Sequence, residues 1–75
     1  MVTLSELYTN TKSLLEKAKI ESYVFESKCI IQHVFNINFN QLLLNGNQMV
    51  DEKLLHKISD IVKKRSSGYP LQYIL

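Results

Sequence analysis

The sequence is poor in residues that interrupt regular structure and in residues that cross-link chains. Its 75 residues include one proline, two glycines, no tryptophan and a single cysteine, Cys29. One cysteine cannot form an internal disulfide, so we predict a cytoplasmic protein without a disulfide framework. The longest apolar runs, residues 23–25 and 42–44, are too short to cross a bilayer. We therefore expect neither a membrane span nor a secretory leader.

Neither sign of charge dominates the sequence. Nine Lys and Arg residues stand against seven Asp and Glu residues, for a formal net charge of +2. A dedicated nucleic-acid binder carries a larger basic excess, so we expect no direct nucleic-acid binding. A 45% hydrophobic content is ordinary for a globular chain. So short a chain has little core to spare for an enclosed active site, which favours a binding module over an enzyme.

Apolar residues recur at three- and four-residue steps, which predicts an all-α fold, a small bundle of four to five short helices. Thr3 and Glu6 form a T-x-x-E capping box that opens the first helix. Because Leu14 belongs to the apolar stripe of this helix, we expect Leu14→Asp to unfold the domain. The full stripe comprises Leu4, Leu7, Tyr8, Thr11, Leu14, Leu15 and Ala18.

The second helix is predicted to follow Ser22 as N-cap and to run to about Phe35. Apolar residues surround most of its circumference, so we expect neighbours to bury it on several sides. Asn36 suits a left-handed residue at its end. Asn38 and Gln41 form a second capping box, which opens a short third helix through residue 44.

The fourth helix is predicted to begin after Asp51 as N-cap and to end at Gly68, before Pro70. Arg65, the only arginine, falls within its apolar stripe. Its planar set of donors suggests that Arg65 fixes the geometry between this helix and the segment C-terminal to it. The alternative is an aliphatic stem whose charged end caps the last carbonyls. The stripe comprises Leu54, Leu55, Ile58, Ile61 and Val62.

Candidate chemistry is sparse. Cys29 and His33 share a helix face, but only His56 and scattered carboxylates could complete a metal site. We interpret Cys29 as a small buried residue and His33 as a packed or surface histidine, and we predict no catalytic or metal-binding residue. One edge of the fourth helix carries Lys53, Lys57 and Lys64, and Asp60 interrupts this row of lysines. A solvated helix face accounts for this lysine edge better than a nucleic-acid patch does, because no aromatic residues interleave with the lysines and three lysines would release few counterions.

The C-terminal residues carry a specific motif. Residues 65–75 read R-S-S-G-Y-P-L-Q-Y-I-L, which resembles the R-x-x-G-x-P-L-x-Y-I-L-G signature of the HemK family. Upstream, Glu26 and residues 30–35 are similar to an acidic residue and an L-L-x-H-V-L run of that family. Residues 42–44 fall where the family has a short leucine-rich helix. Tyr69 departs from the pattern, since family members often carry an acidic residue there.

The HemK family comprises N5-glutamine methyltransferases of peptide chain release factors. The resemblance implies that residues 1–69 are a helical N-terminal domain that docks the substrate. Residues 70–75 would begin a linker to a catalytic α/β domain, before which the chain is truncated. The resemblance implies S-adenosylmethionine as cofactor of the full-length protein, with no cofactor, catalytic activity or catalytic residue in this fragment.

The implied partners are peptide chain release factors, whose G-G-Q glutamine is methylated, and the protein's own catalytic domain. We expect the lysine edge (Lys53, Lys57 and Lys64) to contact the release factor. Arg65, Pro70 and Tyr73 are expected between the two domains. The residues alone leave two alternatives open. One is a freestanding helical module that binds protein or nucleic acid, and the other is a self-associating module that buries residues 73–75 between copies.

Overall fold

The computed structural model describes residues 2–75, which form five helices and, within that range, no strand. This architecture confirms the all-α prediction. The molecule measures 31 × 22 × 20 Å. The helices are α1 (Leu4–Lys17), α2 (Tyr23–Phe35), α3 (Phe39–Leu44), α4 (Glu52–Ser66) and α5 (Leu71–Ile74).

Both predicted capping boxes are present. The Thr3 hydroxyl accepts a hydrogen bond from the Glu6 backbone N–H at 3.2 Å, and the Glu6 carboxylate accepts one from the Thr3 N–H at 3.0 Å. Asn38 and Gln41 make the same reciprocal pair at 2.8 Å each way. Each box satisfies backbone donors that a helix start leaves without partners, so α1 and α3 begin where the sequence predicts.

Helix α2 begins and ends where the sequence predicts, but the side chain of its N-cap residue does not cap the helix. Ser22 is the N-cap residue, yet its hydroxyl makes no capping hydrogen bond and instead donates to the Glu26 carboxylate at 3.0 Å. At the other end Asn36 adopts the left-handed conformation, with φ of 54°, as predicted. A short polar side chain tolerates that conformation better than most residues do.

Helix α4 has the predicted start and a well-defined stop. The Asp51 carboxylate accepts a hydrogen bond from the Lys53 N–H at 2.8 Å. At the end the Gly68 N–H donates to the Arg65 carbonyl and the Tyr69 N–H to the Lys64 carbonyl, both at 3.2 Å. These paired bonds form a Schellman motif. The motif places Gly68 at a φ of +107°, a conformation that glycine adopts readily because it has no Cβ.

The bundle has two distinct ends. Helices α1 and α4 begin side by side, since the Val50 N–H donates to the Val2 carbonyl at 2.9 Å immediately before them. Helix α2 runs antiparallel to both, because its first turn meets the last turn of α4. Consequently α3 lies at the end where α1 and α4 begin, and α5 lies at the opposite end, where α4 stops.

The core is formed by one stripe each from α1, α2 and α4, by a single leucine of α3, and by Ile20 and Val50. Two buried hydroxyls are satisfied locally: Thr11 donates to the Leu7 carbonyl at 2.7 Å, and Ser27 to the Tyr23 carbonyl at 2.6 Å. The buried apolar residues of the helices are Leu4, Leu7, Leu15, Ile30, Ile31, Leu42, Ile58, Ile61 and Val62.

One burial expectation is wrong and another holds in part. Leu14, assigned to the core, is 51% exposed, whereas its neighbour Leu15 is completely buried. Helix α2 packs against α1, α3 and α4, as expected, but one side of its first turn is not covered, because Phe25 is 66% exposed and Val24 is exposed as well. In both helices the apolar stripe is wider than the surface that neighbouring helices cover. Each therefore leaves apolar side chains at the protein surface.

Residues 70–75, predicted to begin a linker, include the single-turn helix α5. It follows the turn at Gly68 and packs against α4, with Leu71 and Ile74 half-buried beside the core. Tyr73 projects away and is largely exposed. This segment therefore contacts the bundle, and its role as the start of a linker stays a prediction.

Candidate functional site

Arg65 and Glu26 form the most specific polar contact of the structure. The Arg65 guanidinium donates to the Glu26 carboxylate from Nε at 2.6 Å and from Nη2 at 3.1 Å. This is the only salt bridge within residues 2–75, and it joins the end of α4 to the start of α2. Two parallel hydrogen bonds fix both the distance and the orientation of the two side chains.

The environment of the pair favours its charged form. The hydrogen bonds from Arg65 hold the pKa of Glu26 below its ordinary value, although burial of the carboxylate opposes this effect. The Ser22 hydroxyl contributes in the same direction as Arg65. Reciprocally, the hydrogen bonds to Glu26 raise the pKa of Arg65. The second carboxylate oxygen is shared by Ser22 and Arg65, so all three groups act together.

The sequence pointed to Arg65 but not to its partner. The guanidinium lies against Glu26 and is half-buried, so Arg65 ties α4 to α2, whereas the sequence suggested contact with the segment C-terminal to α4. Glu26 is the one charged residue among the buried residues of α2, the others being Ser27, Ile30 and Ile31. The available signal was its i, i+4 spacing from Ile30, which places it on an apolar side of the helix, where a buried carboxylate requires a partner.

A shallow hollow lies beside this pair at the end of the bundle that carries α5. Its lining includes Phe25 and Cys29 of α2, Arg65 of α4, and Pro70 and Leu75. Of the residues expected between the two domains, Arg65 and Pro70 line this hollow, whereas Tyr73 does not line it and is largely exposed on α5. Exposed Phe25 adds apolar surface at this end.

The lysine edge lies on a different face. Lys53, Lys57 and Lys64 are all exposed and, at about 100° per residue, occupy a narrow strip that flanks the core side of α4. Asp60 is exposed in the same strip. The structure thus places the three predicted lysines together, on a solvated and mostly basic helix face.

A groove with a volume of about 660 Å³ lies between α1 and α4. The misassigned Leu14 stands on its α1 side, and Lys63 is its only charged lining residue. The complete lining is Val2, Leu7, Asn10, Thr11, Leu14, Leu55, Ile58, Ser59, Val62, Lys63, Ser66 and Ser67. The floor is apolar and the rim polar, as in many binding clefts.

The candidate metal ligands do not come together. Cys29, predicted to be buried, is only half-buried, and His33 is exposed. No group of three or more His, Cys, Asp or Glu residues within 2–75 could hold a metal ion. In the same range, none of the helices is long and apolar enough to cross a membrane. The concave and exposed surfaces are therefore the features of the described chain that can be related to a partner.

Comparison with known proteins assigns the family. A family model described as the PrmC N-terminal domain matches residues 6–75. The chain belongs to this family. The match covers all of α2 to α5 and all but the first two residues of α1, so it includes both members of the Glu26–Arg65 pair and nearly the whole groove.

One curated relative matches almost the whole chain. Over 73 residues, 97% of this chain is 26% identical to the "Release factor glutamine methyltransferase" of Nitratidesulfovibrio vulgaris (strain Hildenborough). The chain spans about 25% of the length of that relative. No solved structure matches at a comparable level of significance. The resemblance inferred from residues 65–75 is thereby confirmed at the level of the family.

Proposed function

We propose that this chain is the docking domain of an S-adenosylmethionine-dependent protein-(glutamine-N5) methyltransferase that methylates the G-G-Q glutamine of peptide chain release factors. The observation that carries the proposal is the family match over residues 6–75. The relative's name supplies the reaction class and the substrate. Residues 1–69 would constitute the docking domain and residues 70–75 the start of the connection to a catalytic domain. Because release factors act on ribosomes, we place the protein in the cytoplasm.

A separate docking domain has a physical purpose in such an enzyme. Methylating one side-chain amide of a folded protein requires that protein to be held in register with the methyl donor. Contacts far from the reacting atom can supply that orientation. A small helical domain with exposed surfaces and no enclosed catalytic cluster within residues 2–75 suits this role.

The cofactor does not fit the described residues. S-adenosylmethionine would require a glycine-rich loop, but Gly46 and Gly68 are isolated turn residues, after α3 and α4 respectively. We therefore assign the cofactor, and the transfer of the methyl group, to the catalytic domain of the parent protein. The 75-residue chain alone is expected to transfer no methyl group.

The interdomain contact is proposed at the end of the bundle that carries α5. Exposed Phe25 and Tyr73 and the hollow lined by Pro70 would face the catalytic domain. Arg65 would hold the start of α2 and the end of α4 together beneath that contact. The lysine edge is proposed to attract the release factor electrostatically, an effect that acts over several ångströms and does not require direct contact.

Binding of a purified peptide chain release factor to the 75-residue chain, measured by calorimetry, tests the proposal. We expect binding without methyl transfer when S-adenosylmethionine is added, and no binding of an unrelated protein of similar charge. If the chain and the release factor do not associate, the docking role is contradicted. Methyl transfer by the chain alone would contradict the assignment of catalysis elsewhere.

Charge reversal tests the lysine edge. The double variant Lys53→Glu/Lys57→Glu should slow association with the release factor, and adding Lys64→Glu should slow it further. The matched control Lys17→Glu/Lys19→Glu makes the same change in net charge at exposed positions outside α4. Equal association rates for the two double variants would eliminate a specific role for the edge.

Reading the source gene beyond codon 75 separates the proposal from a freestanding module. A continuing frame with a glycine-rich loop and an N-P-P-Y element is expected. A stop codon directly after Leu75 would favour the freestanding alternative.

A further inference from the structure

The groove between α1 and α4 has the shape and residue spacing of a site at which a further helix could pack. Its α1 side is lined by Leu7, Asn10, Thr11 and Leu14, which are spaced at i, i+3, i+4 and i+7. Leu7 and Thr11 are buried, whereas Asn10 and Leu14 are exposed. Its α4 side presents residues 55, 58, 59, 62 and 66, which continue the same spacing. Because α1 and α4 begin at the same end of the bundle, these two ridges run in the same direction. A helix packs on another through side chains at this spacing.

We propose that the release factor docks through an amphipathic helical segment that lies in this groove and places an acidic side chain beside Lys63. This inference rests on the proposed function and specifies the contact surface and the chemistry of the docked segment. The α4 side extends from Leu55 to Ser66, about 16 Å at 1.5 Å per residue, which corresponds to roughly three turns of a docked helix. Helix-in-groove recognition commonly uses apolar anchors over such a length.

Exposure of Leu14 supports an unfilled apolar position in the groove. Leu14 is 51% exposed although its helix neighbour Leu15 is completely buried. Leu14 shares the groove with Leu55 and Val62 across from it. An apolar side chain of a docked helix would cover Leu14 and remove its surface from water, which is favourable. In this proposal, the partner contacts the outer edge of the α1 stripe, at Leu14, which the core leaves uncovered.

The charge of the groove selects the chemistry of the segment. Its lining contains one cation, Lys63, and no carboxylate. Lys63 has no salt-bridge partner among residues 2–75, since the only ion pair there is Arg65–Glu26. An acidic side chain near one end of the docked helix would complement it, whereas a basic one would be repelled. The polar rim, which includes Asn10, Ser59 and Ser66, can bond to the polar flank of such a helix.

Methyl NMR locates the contact directly. The probe is an unlabelled, purified peptide chain release factor, added to the 75-residue chain labelled at its Leu, Ile and Val methyl groups. We expect the largest shifts at Leu14, Leu55 and Val62. The methyls of Leu43 and Leu44, which are exposed on α3 and line no part of the groove, serve as internal controls.

Two matched pairs of variants test the anchors. Leu14→Asp should weaken binding of the release factor about tenfold or more, whereas Leu44→Asp, which places the same charge at an 84% exposed leucine, should leave it unchanged. Lys63→Glu should weaken binding about threefold, and Lys17→Glu should not. Lys17 is a suitable control because it occupies the last turn of α1 as Lys63 occupies the last turn of α4. Circular dichroism must show that all four variants fold.

The outcomes separate the groove from the proposed function. If the release factor binds and Leu14→Asp behaves as Leu44→Asp does, the groove proposal is overturned and the docking function stands. If the unchanged chain binds no release factor, both are overturned. Groove shifts that depend on the concentration of the chain alone would identify a second copy as the occupant and would also overturn the proposal.

Discussion

Arg65 donates two hydrogen bonds to Glu26, at 2.6 and 3.1 Å, across 39 positions of the sequence. The pair closes the bundle at the end where α4 stops and α5 begins. Both side chains also line the hollow that we propose to face a catalytic domain, so the pair fixes part of the shape of that hollow. A contact that fixes two helices at that point can transmit their orientation to whatever packs there, so its energetic contribution is the first quantity to measure.

Removing the guanidinium should destabilise the domain by leaving a carboxylate buried without its main partner. We expect Arg65→Ala to lower the free energy of unfolding by about 2 kcal/mol, measured by urea denaturation. Lys64→Ala, at the exposed neighbouring position, is the control and should change the free energy of unfolding by less than about 0.5 kcal/mol. Equal effects of the two substitutions would show that the pair contributes little.

Keeping the charge without the planar guanidinium separates geometry from electrostatics. Arg65→Lys retains a cation but cannot form two parallel hydrogen bonds with one carboxylate. We expect a loss of about 1 kcal/mol by urea denaturation, between the wild-type and Arg65→Ala proteins. Unchanged stability, together with unchanged partner binding by the intact protein, would refute a geometric role for this arginine.

The same pair predicts a dependence of stability on pH. Because the pKa of Glu26 is lowered in the folded protein, its contribution is complete above the ordinary value of 4.5 and is lost as pH falls through the lowered pKa. We expect Glu26→Gln to be less stable than wild type at pH 7, with a difference that shrinks on acidification. Glu6, whose pKa is also lowered, is present in both proteins and cancels. Urea denaturation between about pH 7 and about pH 3 measures this difference, and a difference independent of pH would contradict the prediction.

Local signals predicted the helix bounds because the interactions that set them are local. Each capping box joins residues three apart, as Thr3 and Glu6 do, and the turn at Gly68 depends on backbone conformation at one position. These interactions are nearly independent of the rest of the fold. The motif of residues 65–75 likewise indicated the family, and the pattern upstream of it agreed.

Exposure and pairing could not be predicted in the same way, since they depend on which helices lie next to each other. The stripe of α1 contains both Leu14 and Leu15, and only the position of α4 determines that Leu14 faces the groove. Phe25 is exposed because no helix covers that side of α2. Glu26 and Arg65 meet only when α2 and α4 are antiparallel. A single sequence therefore predicts the apolar stripe of each helix but not which helices pack against each other.

Gly68 should tolerate the volume of a side chain but not its backbone preference. A Cβ at this position would meet no atom within 4 Å, yet φ is +107°, which L-residues rarely adopt. We expect Gly68→Ala to lower the free energy of unfolding by about 1 kcal/mol. Gly68→Asn should cost less, because asparagine visits positive φ more readily. Thermal denaturation of both variants tests this, and an Ala variant as stable as wild type would show that the turn can rearrange.

Adjacent leucines in α1 provide the sharpest test of the packing. Leu15 is completely buried, so Leu15→Asp would place a charge in the core and should unfold the domain. Leu14→Asp places the same charge on a half-exposed surface and should lower the free energy of unfolding by less than about 1 kcal/mol. The far-ultraviolet circular dichroism of the two variants gives the comparison. Unfolding by Leu14→Asp would mean that the stripe of α1 is covered at both edges, which would remove the groove as a free surface.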